Sequence, residues 1–423
     1  MLGRKKRPAG RTASSAPRYT REELLRYRQD AERRSREAAK GPMDLPFLLL
    51  LILLLLIGLA MLFSASFPSG MAREDPDPFY YIKRQAVFAL GGFVMLLLVS
   101  KFNYKYLRSM ASLLLAVSIG MLVLVLIPGI GQERNNATRW LGVGGLTFQP
   151  SEVAKVAIII YYANWVSRMR EKMEKFWPKV FLELVLLGIV VLMILFEPHL
   201  SGAILTACIG FTILAVGGMR RSHVATLLLL GGLFLGGFYF CSTHGIISYG
   251  QNRIAMWENP FTDPQGEGYQ MCQSLLAIGS GGLFGVGFGR SRQKFNFLPE
   301  EHNDFIFPVI CEELGMVGAC IIMLIFAMFI IRGFWIAIHA RDRFGKLLVV
   351  GIMAQIGLQT FMNIGVVTGL LPATGISLPF FSYGGTALMT QLMEMGIVLS
   401  VSRQIPGPRK KPEPAKEAAP EKR

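Results

Sequence analysis

The sequence predicts an all-α, polytopic integral membrane protein with ten transmembrane helices. Hydrophobic residues make up 52% of the 423-residue chain and charged residues only 17%, whereas soluble domains are usually about a quarter charged. The apolar residues form runs of roughly 20, which is the length an α-helix needs to cross a bilayer. Basic residues lie in the tails and short loops, so the net charge of +16 indicates membrane topology rather than nucleic-acid binding.

Ten apolar segments are predicted to span the membrane in the order of the chain. The fourth is the least apolar because it contains Glu152 and Lys155. The fifth and sixth form a tight hairpin through the sequence Glu197-Pro198-His199. The predicted spans are 45–66, 80–99, 109–128, 150–167, 180–197, 199–218, 222–241, 304–331, 345–368 and 378–402.

The distribution of Lys and Arg predicts that both termini are cytoplasmic. With the amino terminus inside, strict alternation of ten helices places 34 of the 44 basic residues on the inner side. An excess of Lys and Arg is typical of cytoplasmic loops. This topology leaves a large extracytoplasmic loop, residues 242–303, between helices 7 and 8. Long loops are usually functional or disordered. Part of this loop is apolar and glycine-rich, so we expect that part to lie on the membrane or dip into it.

The chain is expected to have three parts. Residues 1–44 are predicted to form a basic cytoplasmic tail, mostly disordered, with a membrane-surface helix as the alternative. The first apolar run begins only near Leu45, too far from the amino terminus for a signal peptide. Residues 45–403 are predicted to form the transmembrane domain, and residues 404–423 a disordered tail rich in Pro and Lys.

The five cysteines do not form a recognisable metal or redox motif. None belongs to a CxxC pair, and most lie in apolar runs. Free Cys is a small hydrophobic residue that is often buried, so we interpret these residues as part of the core. A disulfide between Cys241 and Cys272 is the alternative.

Glu152 and Lys155 are charged residues at membrane depth, and they share one helix face because they are three residues apart. Ionisable residues inside a membrane are costly and usually functional. The pair therefore predicts a polar cavity open to the outer surface. A mutual ion pair that only neutralises an interior position is the alternative.

Four basic residues are predicted at the outer side, where the charge rule disfavours them. They are Arg84, Arg139, Lys155 and Lys294. Together they could bind an anionic substrate such as a phosphate or pyrophosphate. Salt bridges with Glu197 or Glu300 are the competing explanation.

Five carboxylates lie in or just before the eighth predicted span: Glu300, Glu301, Asp304, Glu312 and Glu313. Asp304 is placed at the boundary of water and lipid, where a carboxylate can stay ionised and act as a base. A helix cap is an equally good explanation of Asp304 from its position alone. Glu312 and Glu313 are interpreted as buried polar contacts between helices.

Several long motifs resemble those of the SEDS family, the FtsW/RodA/SpoVE proteins of bacterial cell-wall synthesis. The resemblance covers about residues 63–403 and is closer to FtsW or SpoVE than to RodA. The sequence departs from the family pattern at Asn303, Ser377 and Thr386-Ala387, none of which removes a charged group. The motifs are ATRWLGVGGLTFQPSEVAK, FEPHLSGAIL, DPQGEGYQMCQSLLAIGSGGLFGVGFGRSRQKF, FNFLPEEHNDFIFPVICEELGMVG and NIGVVTGLLPATGISLPFFSYGG.

The resemblance implies a peptidoglycan glycosyltransferase that polymerises lipid II, an undecaprenyl-pyrophosphate-linked disaccharide-pentapeptide. It also implies a class B penicillin-binding protein as partner, other divisome proteins, and a Mg²⁺ or Mn²⁺ ion. The family's essential Asp corresponds to Asp304, and its Glu and Lys of the QPSExxK motif correspond to Glu152 and Lys155.

These implications assign roles to the candidate residues. Asp304 is expected to be the general base, with Glu152 and Lys155 as further catalytic residues. Glu152 or Asp304 is expected to hold the metal ion. The residues expected to bind substrate are Arg84, Arg139, Lys294, Glu300 and Ser382.

Two other functions remain open from the sequence. Many helices and buried charges also suit a lipid II flippase, although the polar residues concentrate on one face. A non-catalytic divisome scaffold is the other alternative, with the basic tail as a docking arm. In each case the protein is expected in the bacterial cytoplasmic membrane, at the division septum.

Overall fold

The computed structural model describes residues 41–134, 137–143, 146–169, 177–244, 251–295 and 297–405. The predictions for residues 1–40 and for the carboxy-terminal tail beyond residue 405 lie outside this range. The described part contains twelve α-helices. The first seven are α1 (Leu45–Met71), α2 (Tyr80–Lys101), α3 (Lys105–Leu126), α4 (Pro150–Arg168), α5 (Trp177–Phe196), α6 (Leu200–Val216) and α7 (Arg221–Thr243). The others are α8 (Gln251–Glu258), α9 (Tyr269–Ser280), α10 (Ile306–His339), α11 (Arg343–Val367) and α12 (Gly385–Ser402).

Each of the ten predicted spans overlaps one of these helices, namely α1–α7 and α10–α12, but α12 begins at Gly385, later than the predicted start at 378. Six of the described helices contain an apolar stretch long enough to cross a membrane: α1, α2, α3, α5, α10 and α11. The helix α6 is apolar but has only 17 residues. The polytopic, mainly helical fold is therefore confirmed, while the count of ten spans stays a prediction.

Helices α4, α11 and α12 form the interior of the bundle. In the most apolar 18-residue stretch of α11, 67% of the residues are buried, against 22% in the corresponding stretch of α2. Helix α11 packs on α4, α6 and α10, and α12 packs along α2. Peripheral helices keep their Leu and Val side chains outward, because lipid tails are as apolar as those side chains and offer no drive for burial. Charges on α4 and α12 are consequently held away from lipid.

A small antiparallel sheet follows α3 and was not part of the predicted all-α class. Its strands β1 (Gly131–Arg134), β2 (Ala137–Val143) and β3 (Leu146–Phe148) are joined in that order. The register shifts between Gln132 and Glu133. Such short strands between two long helices give too little alternation for the sequence pattern to predict them. The sheet carries Arg139 above the helix ends.

The helix α10 differs from the predicted span in two ways. It begins at Ile306, so Asp304 precedes it rather than lying within it. It is also broken at Gly315, whose φ of 69° and ψ of −176° are not helical. The predicted span 304–331 is therefore not one continuous helix that begins at Asp304.

All five cysteines are free in the structure. Cys272 and Cys311 are buried, and Cys208 and Cys241 are partly buried. The alternative of a disulfide between Cys241 and Cys272 is therefore not realised.

Candidate active site

Asp304 ends a tight turn that leads into α10. The backbone N–H groups of Asn303 and Phe305 donate to the Glu300 carbonyl at 3.0 and 3.2 Å, and Glu300 has a φ of 55°. The Asp304 carbonyl accepts a hydrogen bond from Asn363 Nδ2 on α11 at 2.7 Å. The cap position of α10 is Phe305, without a side-chain hydrogen bond. The capping explanation of Asp304 is thus wrong, and its carboxylate remains available for chemistry.

The connection between α11 and α12 forms one wall beside the Asp304 carboxylate. A Cβ atom added to Gly375 would lie 2.8 Å from Asp304 Oδ2. The Gly375 carbonyl accepts from Ser201 Oγ at 2.7 Å, and Asn363 Nδ2 also donates to the Ile376 carbonyl at 2.7 Å. Helices α6 and α11 therefore fix this wall, and only glycine leaves the carboxylate its space.

Ser382 ties the same connection to the Asp304 turn. Its hydroxyl donates to the Asn303 carbonyl at 2.7 Å and accepts from the Leu378 N–H at 2.8 Å. The Tyr383 N–H donates to the His302 carbonyl at 2.8 Å. Ser382 is buried, and its two hydrogen bonds hold the turn in place. The substrate contact expected of it stays a prediction.

The surroundings of Asp304 raise the pKa of its carboxyl to about 6, chiefly through burial and secondly through the nearby charge of Glu300. Arg139 and His302 act in the opposite direction. Burial of a carboxyl disfavours its charged form, as does a neighbouring carboxylate. The turn holds Glu300 and His302 close to Asp304, and the sheet adds Arg139, which is distant in sequence.

Two of the four predicted cations lie around this turn. Arg139 donates from Nε to the Glu197 carbonyl at 3.1 Å and from Nη2 to the Pro198 carbonyl. Arg84 lies over the Tyr80 ring, 4.6 Å from its centroid. Burial raises the pKa of Tyr383, against a hydrogen bond with Arg84 that lowers it. Arg84 and Arg139 therefore approach the Asp304 turn from α2 and β2.

The other two predicted cations are held in buried ion pairs. Lys155 Nζ lies 2.7 Å from Glu152 Oε1 on α4, and both residues are buried, with 2% and 8% exposed area. Lys294 Nζ lies 2.8 Å from Glu313 Oε1. The mutual ion pair weighed for Glu152 and Lys155 is therefore present. A substrate-binding or catalytic role for these residues stays a prediction.

Sequence reasoning missed Glu394, which lies near the Glu152–Lys155 pair. Glu394 is fully buried on α12, and Gln355 Nε2 of α11 donates to both of its oxygens at 3.0 Å. The charges of Lys155 and Glu152 act on this carboxyl. The signal was present in the sequence, since Glu394 is the one acidic residue of the span 378–402.

Glu197 shows that one competing explanation of the outer cations is not realised. Arg139 binds the backbone carbonyl of Glu197, whereas neither side-chain oxygen of this buried residue has a hydrogen-bond partner within the described part of the chain. Burial raises the pKa of the Glu197 carboxyl to about 8, despite the charge of Arg139. The hydrogen bonds of Arg139 to this connection thus run to backbone carbonyls, and the charge of Arg139 also acts on the Asp304 carboxyl.

Replacement of Gly375 by alanine should move the Asp304 carboxylate without unfolding the turn. The new methyl group would collide with Asp304 Oδ2, the mobile end of a side chain. We expect the rate of the reaction that uses this carboxylate to fall about tenfold to a hundredfold, since misplacement by about 1 Å is that costly. Steady-state kinetics of Gly375→Ala check this.

Gly384→Ala is the matched control for that substitution. A Cβ at Gly384 meets only Ala387 Cβ, at 3.5 Å, which is ordinary van der Waals contact. Equal rates for the Gly375→Ala and Gly384→Ala variants would contradict the position given to the Asp304 carboxylate.

Comparison with known proteins agrees with this architecture. The family model of the FtsW, RodA and SpoVE cell cycle proteins matches residues 44–406. Stage V sporulation protein E of Bacillus subtilis is 40% identical over 363 residues, which cover 85% of this chain and 97% of that protein. A probable peptidoglycan glycosyltransferase FtsW of Geobacter metallireducens is 39% identical over 365 residues, covering 86% and 96%.

Solved structures show the same likeness. A chain of a peptidoglycan synthase complex, described as coordinating polymerization and crosslinking, matches with a TM-score of 0.71 and 28% identity over 86% of this chain and 98% of its own. The rod shape determining protein RodA of Thermus thermophilus matches with a TM-score of 0.63, at the same identity and coverage. The chain belongs to the FtsW/RodA/SpoVE family.

Proposed function

We propose that this protein is a membrane-embedded peptidoglycan glycosyltransferase that polymerises lipid II into glycan strands. The observation that supports this most is Asp304, a carboxylate free of capping duty in a turn that also gathers Glu300, His302 and Arg139. Two relatives that align with this chain over 96% of their own length are named probable peptidoglycan glycosyltransferase FtsW. Glycosyl transfer from a pyrophosphate needs a base and a cationic group for the leaving anion. Asp304 and Arg139 provide these two residue types.

In the proposed mechanism, Asp304 accepts the proton of the acceptor sugar hydroxyl as the oxygen attacks the anomeric carbon of the donor. The bond from that carbon to the pyrophosphate breaks as the new glycosidic bond forms, so a single displacement inverts the configuration. Negative charge develops on the departing pyrophosphate and needs cations placed beforehand. Arg139, whose charge acts on the Asp304 carboxyl, and Arg84, which hydrogen-bonds Tyr383 beside the turn, are the candidate cations.

The direct test is polymerisation of purified lipid II by the purified protein in detergent or liposomes, with its partner present. We expect glycan polymers on gels. Transport of lipid II across liposomes without polymer formation would instead support the flippase alternative.

We further propose that a divalent cation assists at the pyrophosphate. Among the described residues, no group of three or more His, Cys, Asp or Glu could hold a metal ion. Mg²⁺ is commonly bound by one or two carboxylates together with substrate phosphates, so a carboxylate beside the turn suffices. Glu300 suits this role because its charge acts on the Asp304 carboxyl in the same turn, and because Asp304 needs a free oxygen to act as base. Such an ion would neutralise charge on the leaving group.

Removal of divalent cations should therefore stop polymerisation, and Mg²⁺ or Mn²⁺ should restore it. We expect Glu300→Gln to raise the cation concentration needed for half-maximal rate, because one carboxylate ligand is lost. Titration of each ion after chelation measures this. Full activity in excess chelator would rule out the cation.

The pH dependence should report the ionisation of Asp304. Burial, followed by the charge of Glu300, raises the pKa of Asp304 to about 6. A base acts in its ionised form, so below that pH the rate should fall about tenfold per pH unit. A rate that stays constant down to about pH 5 would contradict the assignment.

We propose a class B penicillin-binding protein as the crosslinking partner, together with other divisome proteins, at the division septum. The likeness to a synthase complex that joins polymerization to crosslinking supports a crosslinking partner. The match to a family model described as cell cycle proteins supports a location at the site of division. Imaging of a fluorescent fusion and co-purification with the cell's penicillin-binding proteins test both points.

A further inference from the structure

Three buried charged residues lie outside the mechanism described above. Lys294, Glu312 and Glu313 have exposed fractions of 2%, 2% and 1%. Lys294 belongs to the loop before the Asp304 turn, and both glutamates belong to the first turns of α10. Buried charges are costly unless they are paired and hydrogen-bonded, so their partners indicate what they do.

Glu313 joins three separate parts of the chain. Lys294 Nζ lies 2.8 Å from Glu313 Oε1 and donates to Ser64 Oγ of α1 at 3.0 Å. Ser64 Oγ in turn lies 2.7 Å from both Glu313 oxygens. The Ser291 N–H approaches Glu313 Oε1 at 3.4 Å. The carboxylate thus links α1, the loop and α10 at one point.

Glu312 fastens the same loop a few atoms away. It accepts hydrogen bonds from Ser291 Oγ, from the Arg292 N–H at 2.9 Å and from the Gln293 N–H at 3.3 Å. Three donors from consecutive residues satisfy one carboxylate, which is how a buried anion is stabilised. The loop is therefore held by both glutamates of the pair.

The break in α10 at Gly315 makes room for this attachment. An unbroken helix would use the carbonyls of Glu312 and Glu313 for its own N–H groups four residues later. Here these carbonyls accept from Val286 and Gly287, at 2.9 and 3.0 Å. A Cβ at Gly315 would lie 2.3 Å from the Gly285 nitrogen, so only glycine permits this approach.

Lys294 and the Asp304 turn are consequently both attached to α10. Lys294 is attached to Glu313, and the helix itself begins at Ile306 just after Asp304. We propose that the Lys294–Glu313–Ser64 network is a clamp that sets the position of Asp304. Lys294 is then a positioning residue rather than a ligand of pyrophosphate. This inference rests on the proposed glycosyltransferase function for its kinetic consequence.

The test compares three variants of the full-length protein with its partner. Lys294→Met removes the ammonium and leaves Glu313 buried without its counter-charge. Glu313→Gln with Lys294→Met removes both charges but keeps an acceptor for Ser64 and Ser291. Lys83→Met is the matched control, because Lys83 forms an exposed ion pair with Asp77. Amide hydrogen exchange of residues 281–304 and lipid II polymerisation are measured for each.

We expect Lys294→Met to lower kcat tenfold to a hundredfold with KM within threefold, and to speed exchange in residues 281–304. Misplacement of a catalytic group by about 1 Å has an effect of this size. The double variant should recover to within about fivefold of the parent kcat, since a buried ion pair can be replaced when both partners change together. Lys83→Met should leave exchange and kcat unchanged.

Two results would overturn the clamp. If the double variant is as slow as Lys294→Met and has a strongly raised KM, Lys294 contacts the substrate. If exchange and kcat are unchanged in Lys294→Met, the network does not position Asp304. Should Lys294→Met fail to fold, Ser64→Ala provides the milder test, and unchanged exchange in that variant would also count against the clamp. Hydrogen exchange does not depend on polymerase activity. It therefore tests the clamp even if the proposed glycosyltransferase function is wrong.

Discussion

Asp304→Asn should abolish lipid II polymerisation while the protein stays folded. Asparagine keeps the size of the side chain but cannot accept a proton at neutral pH, and a general base typically contributes about 10²–10⁴-fold to a rate. The fold should survive because α10 takes no side-chain cap from Asp304. Its contact with Asn363 is made by the backbone carbonyl. Polymer formation on gels and the unfolding temperature in detergent give the two readouts.

Asp263→Asn is the matched control for this experiment. Asp263 lies in the same connection between α7 and α10, is exposed, and accepts from the Gly266 and Glu267 N–H groups at 3.0 Å. We expect it to polymerise at the parent rate. If Asp304→Asn also polymerises at that rate, the base is another residue and the proposed mechanism is wrong.

Lys155→Met should have the largest effect on stability among single substitutions in the candidate site. It leaves the Glu152 carboxylate buried without the ammonium that lies 2.7 Å away. The Glu394 carboxyl lies in the same interior region, where the charge of Lys155 acts on it. Breaking a buried pair by removing one partner costs about 3–5 kcal/mol. We therefore expect a clearly lower unfolding temperature in detergent, and loss of polymerisation.

The double substitution Glu152→Gln with Lys155→Met separates structure from chemistry. Without either charge, the interior should regain much of its stability, because neutral groups of similar volume are tolerated there. If polymerisation also returns, the pair has a structural role only. If stability returns and activity does not, the expected catalytic role of Glu152 and Lys155 is supported. If Lys155→Met is as stable as the parent protein, the Glu152–Lys155 ion pair does not stabilise the interior.

The helices could be predicted from the sequence because each one depends on the composition of a single continuous segment. Long apolar runs predict helices by length and composition alone, and each predicted span overlaps an α-helix. Asp304, Glu152 and Lys155 were found because a charged residue in an apolar run is conspicuous. The same signal marks Glu394, although no second charged residue lies within four positions of it on the helix.

The sequence could not show which charges meet, because those contacts join residues that are distant along the chain. Four cations were expected to form one outer group. In the structure Arg84 and Arg139 approach the Asp304 turn, whereas Lys155 and Lys294 have glutamate partners in the interior. The pairing of Lys294 depends on the break of α10 at Gly315, which an uninterrupted apolar pattern does not reveal.

The sequence by itself determined the membrane class, the helices and the residues able to carry chemistry, since hydrophobicity and charge are properties of each position. Only the tertiary structure decided that Asp304 precedes its helix, that Ser382 and Asn363 hold its turn, and that Gly375 leaves space for its carboxylate. These relations depend on backbone geometry and on contacts between distant segments. The physical reason is that burial and proximity, which set the charge state of a group, arise only when the helices pack.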